Sequence, residues 1–165
     1  CISRIIWWIL KYFSFLYNVV KLNLDHIAIA VNNIKESSKL YGFLQPSNIT
    51  FKTFISEDVK IAMLNFGNIK IELLEPLSDN STIKKFLNNN GQGLHHISFS
   101  VSNLKKYIEL AKEKNFKIID NISDVDHEDN KMIFLHPKSF NGVLIELIER
   151  NKWLLNERYL YYKIF

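Results

Sequence analysis

The sequence predicts an α+β fold in which two tandem βαβββ modules form one curved, eight-stranded half-barrel sheet around a metal-binding trough. Three observations carry this prediction. With an offset of 70, His26, Ile27, Val31, Asn33 and Lys35 are identical to His96, Ile97, Val101, Asn103 and Lys105, which is an internal repeat. The stretch that opens each copy alternates bulky with small or polar residues, the period of a strand with two unlike faces. Each copy also closes on Ile-Glu-Leu, at 71–73 and 145–147.

Taken in order, "LDHIAIAV" (24–31) puts Ile27, Ile29 and Val31 on one face and His26, Ala28 and Ala30 on the other. An Asn pair, Asn32 and Asn33, then opens an amphipathic helix. "VKIAMLNFGNIKIELLEPL" (59–77) reads as two strands around a Phe-Gly-Asn turn. In the second copy, "LHHISFSV" (94–101) puts Ile97, Phe99 and Val101 on one face and His96, Ser98 and Ser100 on the other. Ser102 is the expected cap of the helix that follows. "NKMIFLHPKSFNGVLIELIER" (130–150) reads as two strands around a loop containing Pro137 and Gly142. The modules cover about 22–77 and 93–150, within a single expected domain at 22–150.

Charge excludes one class of partner. The net charge of +4 comes from the flanks: residues 22–150 carry 15 Lys+Arg against 16 Asp+Glu, whereas 1–21 and 151–165 carry 6 against 1. The expected domain therefore has no basic stripe to follow a phosphate backbone, and no nucleic-acid partner is expected. The flanks hold all three Trp and 11 of the 22 aromatics. "IIWWILKYFSFLYNVV" (5–20) is short for a membrane span and is interrupted by Lys11, Ser14 and Asn18, so a membrane role is not expected. A membrane-surface helix, an added packing helix and sequence outside the working protein are its three readings, the last being the expectation. One cysteine, Cys1, leaves no internal disulfide and no thiol-rich metal site.

The faces carrying His26 and His96 otherwise show only Ala or Ser, too little bulk for a main core. A sheet that packs its bulky face on helices and leaves this face open makes a trough. From His26 to Glu72 is 46 residues and from His96 to Glu146 is 50, so each module carries a His early in its first strand and a Glu in its last. Any one of these alone reads as an ordinary polar strand residue. Filled at matching repeat positions, the four read as a mixed N/O ligand set for a divalent transition metal: His26, Glu72, His96 and Glu146. His95 aligns with Asp25 and is read as a polar residue at the strand edge. His127 has no repeat partner and is not read as a ligand.

With these residues in hand, the chain resembles the vicinal-oxygen-chelate (glyoxalase/bleomycin resistance/dioxygenase) superfamily and, within it, the methylmalonyl-CoA epimerase family. "LDHIAIAV" resembles that family's opening strand, and "EPLSDNSTIKKFL…GLHHIS" and "FLHPKS…GVLIEL" are its more specific strings. The resemblance spans about 22–150. It implies the glyoxalase-like fold, the same four ligands, and proton abstraction and return at C2 of an acyl-CoA substrate. It further implies Glu57 in "SEDVKI" as catalytic base, with Asp58 the competing carboxylate, and Glu146 as a second base. Cobalt is the first metal expected, with Mn, Ni or Zn as alternatives. A homodimer in a bacterial cytoplasm or a mitochondrial matrix is also implied. The rivals are a lactoylglutathione lyase on the same fold and a non-catalytic small-molecule-binding protein of the superfamily.

Overall fold

A computed structural model describes residues 22–119 and 131–150. The expectations for both flanks and for His127 fall outside these residues. The first module runs β1 (Leu22–Ala30), α1 (Ile34–Gly42), β2 (Asn48–Phe54), β3 (Val59–Phe66) and β4 (Ile69–Pro76). A connecting helix, α2 (Thr82–Asn90), leads to the second module: β5 (Gly93–Val101), α3 (Leu104–Glu113), β6 (Ile118–Ile119), β7 (Lys131–Leu135) and β8 (Leu144–Glu149). All eight strands join one sheet in the order β2-β3-β4-β1-β5-β8-β7-β6. Strands β2 and β6 are its edges, so the sheet stays open as the half-barrel prediction requires. In each module the first strand runs parallel to the last, β1 to β4 and β5 to β8. The two modules meet where β1 and β5 pair antiparallel. This seam brings the repeated histidines to the centre of the sheet.

The bulky face packs on α1 and α3 as the alternation predicts. Val31, Ile34, Leu64 and Leu73 form the core of the first half, with Ile29, Tyr41 and Ile71 against them. Val101, Leu104, Ile133, Leu135, Ile145 and Leu147 form that of the second. Burying each Leu or Ile contributes about 1.5–3 kcal/mol, so these two layers are what holds the helices to the sheet.

Both helices start on an asparagine. The Asn33 side chain accepts the N–H of Lys35 and Glu36, and that of Asn103 accepts the N–H of Lys106. This corrects the expectation for Ser102: Asn103 holds the extended cap conformation and α3 begins one residue later, in step with the repeat. A carboxylate from the last strand of the same module also reaches each helix start. Ile34 N–H donates to Glu75 and Leu104 N–H to Glu149, both at 2.6 Å. Anions favour this end of a helix because its first N–H groups lack intrahelical partners.

The small-residue face departs from the prediction of an open trough. Ala28 and Ala30 are 0% exposed, packed with Val59, Leu74 and the α2 residues Ile83 and Leu87. Their small side chains leave room for a helix to lie across the sheet. The trough is therefore roofed at this end by α2, and the polar cluster lies beyond the roof.

Candidate metal centre

Strand pairing assembles the site. Ala28 lies opposite His96 in the β1–β5 ladder and beside Glu72 in the β1–β4 ladder; Ser98 lies opposite His26 and beside Glu146. The four side chains thus come from four adjacent central strands. Nε2 of His26 stands 3.2 Å from Nε2 of His96, 3.4 Å from Oε2 of Glu72 and 3.6 Å from Oε2 of Glu146. Nε2 of His96 is 4.0 Å from that same Glu146 oxygen. His26, His96 and Glu146 each offer a ligand atom within 4.8 Å of the others, and Glu72 joins them through His26. All four residues are buried.

Burial and the cluster's own charges set its electrostatics. Burial pushes the His26 imidazole towards its neutral form, but the hydrogen bond to Asp25 and the carboxylates of Glu72 and Glu146 outweigh it and raise the pKa to about 10. Burial, then repulsion from His26 and His95, drives His96 well below the ordinary value. A proton on His26 Nε2 can donate to Nε2 of His96 at 3.2 Å. Burial raises Glu146 to about 7, opposed by His26, and its buried Oε2 accepts no hydrogen bond. An orphaned carboxylate oxygen beside two imidazole nitrogens fits a divalent ion: borderline nitrogen ligands and hard oxygen ligands converge, and one cation would satisfy them together.

Two neighbours of the site were not legible as such. Register shifts in the β1–β5 ladder leave Asp25 and His95 as the extra residues of two β-bulges. Asp25 accepts the Nδ1–H of His26 at 2.9 Å and is gripped by Arg150, Nε to Oδ2 at 2.7 Å and Nη2 to Oδ1 at 2.5 Å. Burial would raise the Asp25 pKa; the hydrogen bonds from Arg150 and His26 carry it well below the usual carboxylate range instead. His95 is not the peripheral residue expected. Its Nδ1 lies 2.8 Å from Nδ1 of His96, its ring packs edge-on against Phe86, and burial lowers its pKa to about 4.

Glu57 lies apart from the cluster, exposed in the turn at 55–58 between β2 and β3. Asp58, its sequence competitor, has a structural task. It takes the left-handed conformation the turn needs (φ 55°), its carbonyl accepts Leu77 N–H, and its carboxylate accepts the Ser78 hydroxyl.

The sequence model of the Glyoxalase/Bleomycin resistance protein/Dioxygenase superfamily matches residues 25–134. The chain belongs to this superfamily. Among its relatives is the mitochondrial methylmalonyl-CoA epimerase of Dictyostelium discoideum, 36% identical over 129 residues, 77% of this chain and 78% of that one. A solved hypothetical protein from Bacillus halodurans superposes with a TM-score of 0.73 at 38% identity, covering 79% of this chain and 96% of the other. A Streptomyces coelicolor methylmalonyl-CoA epimerase variant solved with 2-nitronate-propionyl-CoA gives a TM-score of 0.70 at 27% identity, over 77% and 96% of the two chains. Within the superfamily, then, the chain groups with methylmalonyl-CoA epimerases. Among the described residues no helix is long and apolar enough to cross a membrane.

Proposed function

We propose that this chain is a methylmalonyl-CoA epimerase, with His26, Glu72, His96 and Glu146 as the ligands of a divalent metal. The observation that carries the reading is the buried His26/His96/Glu146 cluster, with Glu72 at 3.4 Å from His26, in a chain of this family. When bound, the ion, cobalt first with manganese, nickel and zinc as alternatives, supplies Lewis-acid stabilisation of the negative charge that develops on a substrate oxygen.

The remaining chemistry belongs to the side chains. Epimerisation removes the C2 proton of the 2-methylmalonyl thioester from one side and returns a proton from the other, so two acid–base groups are needed. Glu57 is the candidate for one side: it is exposed in the turn between β2 and β3, in the segment "SEDVKI" that resembles the part of the epimerases bearing the base. Glu146 is the candidate for the other. As in the family, the working unit is a homodimer, and its compartment is one that holds an acyl-CoA pool, a bacterial cytoplasm or a mitochondrial matrix.

The test is a paired assay on the cobalt-loaded chain, with one epimer of methylmalonyl-CoA and, separately, the hemithioacetal of methylglyoxal and glutathione. Turnover of the first alone is expected. Turnover of the second alone would make the chain a lactoylglutathione lyase.

A further inference from the structure

We propose that Asp25 and His95 are matched positioning residues, each sitting on a β-bulge one residue before a ligand histidine and accepting that histidine's Nδ1–H, so that Nε2 is aimed at the metal. The inference rests on the metal reading above. In a regular strand, consecutive side chains point to opposite faces, so residue 25 could not touch residue 26 through its side chain, nor 95 touch 96. The ladder breaks register at both places. Leu24 pairs with Phe99 and His26 with Ser98, skipping Asp25; Ala28 pairs with His96 and Ile29 with Leu94, skipping His95. Each skipped residue then makes the contact that regular pleating forbids, Asp25 Oδ1 to His26 Nδ1 at 2.9 Å and His95 Nδ1 to His96 Nδ1 at 2.8 Å.

The two bulges are 70 residues apart, the offset of the repeat, so the same device recurs with different chemistry. On the first histidine the acceptor is a carboxylate, locked by the two-pronged grip of Arg150 at the end of β8, with Lys70 Nζ at 3.8 Å. On the second it is a neutral imidazole held against the Phe86 ring of α2. Either acceptor fixes the Nδ1–H tautomer and the ring orientation. Partners of this kind around other metal sites change affinity about 10- to 100-fold when removed. A purely structural role would leave metal affinity alone.

Cobalt affinity, read by competition with a chromophoric chelator, separates the two. The visible absorption of bound cobalt and the urea midpoint of the metal-free protein are recorded alongside. Asp25→Ala and His95→Phe should each weaken cobalt binding about 10- to 100-fold and alter the cobalt bands. Asp25→Asn and His95→Asn, which keep an acceptor oxygen, should recover most of the loss. If either first variant fails to fold, Asp25→Val or His95→Leu, which also lack the acceptor, takes its place: a loss of about 10- to 100-fold with altered bands supports the assignment, and unchanged affinity and bands overturn it. Lower urea midpoints with wild-type affinity and spectra would also overturn it, as would Asn variants no better than the severe ones. Wild-type protein that takes up no cobalt would sink the proposed function as well, whereas uptake undisturbed by all four substitutions sinks this inference alone.

Discussion

Nε2 of His26 lies 3.2 Å from Nε2 of His96, across the seam where the two modules pair. Two imidazole lone pairs cannot face each other at that distance without something positive between them. A proton on His26, favoured by Asp25, Glu72 and Glu146, can fill that role. A divalent ion would take its place. His26→Ala or His96→Ala removes one side of this arrangement, and each is expected to abolish cobalt binding at micromolar concentrations. Equilibrium dialysis checks it.

Above about pH 6.5 the metal-free protein should lose stability as the pH rises. His26 has its folded pKa raised to about 10 from an ordinary 6.5, so its contribution is complete below about 6.5 and is lost as the pH climbs to 10. Glu146, raised to about 7 from 4.5, acts in the same direction between those values. Metal replaces these protons, so cobalt should raise the melting temperature more at pH 9 than at pH 6. Thermal scans with and without cobalt at both pH values measure this, and His26→Gln should flatten the metal-free profile above pH 6.5.

Glu57 divides binding from chemistry. Glu57→Gln keeps the side chain's shape and removes its basicity, so cobalt affinity should be unchanged while turnover falls at least about 100-fold. Isothermal titration and a coupled epimerase assay report the two quantities separately.

The helix starts give a prediction free of the site. Asn103→Ala removes the side-chain acceptor of Lys106 N–H and should cost about 1 kcal/mol in urea unfolding; Asn33→Ala should cost as much for α1. Ala30→Leu tests the roof. It forces a larger side chain against Ile83 and Leu87 and should destabilise by about 1–3 kcal/mol.

Much of this was legible because the repeat is exact where chemistry or capping demands it. His26 and His96 could be matched by offset alone, and Glu72 and Glu146 by the shared Ile-Glu-Leu. The same match extends three residues further, to Glu75 and Glu149, and both accept from helix N-termini. Asn103 was likewise marked by its match to Asn33, while Ser102 drew the cap by residue type. The bulges were hidden for a different reason. Period-2 reading assumes an unbroken ladder, and a single inserted residue in one strand leaves no trace in composition; Asp25 and His95 look like residues of the opposite face until register is known. Arg150 could not be joined to Asp25 from a distance of 125 residues. The roof over Ala28 and Ala30 was missed because small residues signal an open groove and a close helix equally well.

The most direct test of the account follows C2 of a single epimer of methylmalonyl-CoA by proton NMR in D2O, with the cobalt-loaded chain and its His96→Ala variant side by side. Loss of the C2 proton signal together with racemisation is expected in the first, and neither in the second. A cobalt-loaded chain that leaves the C2 proton in place would contradict it.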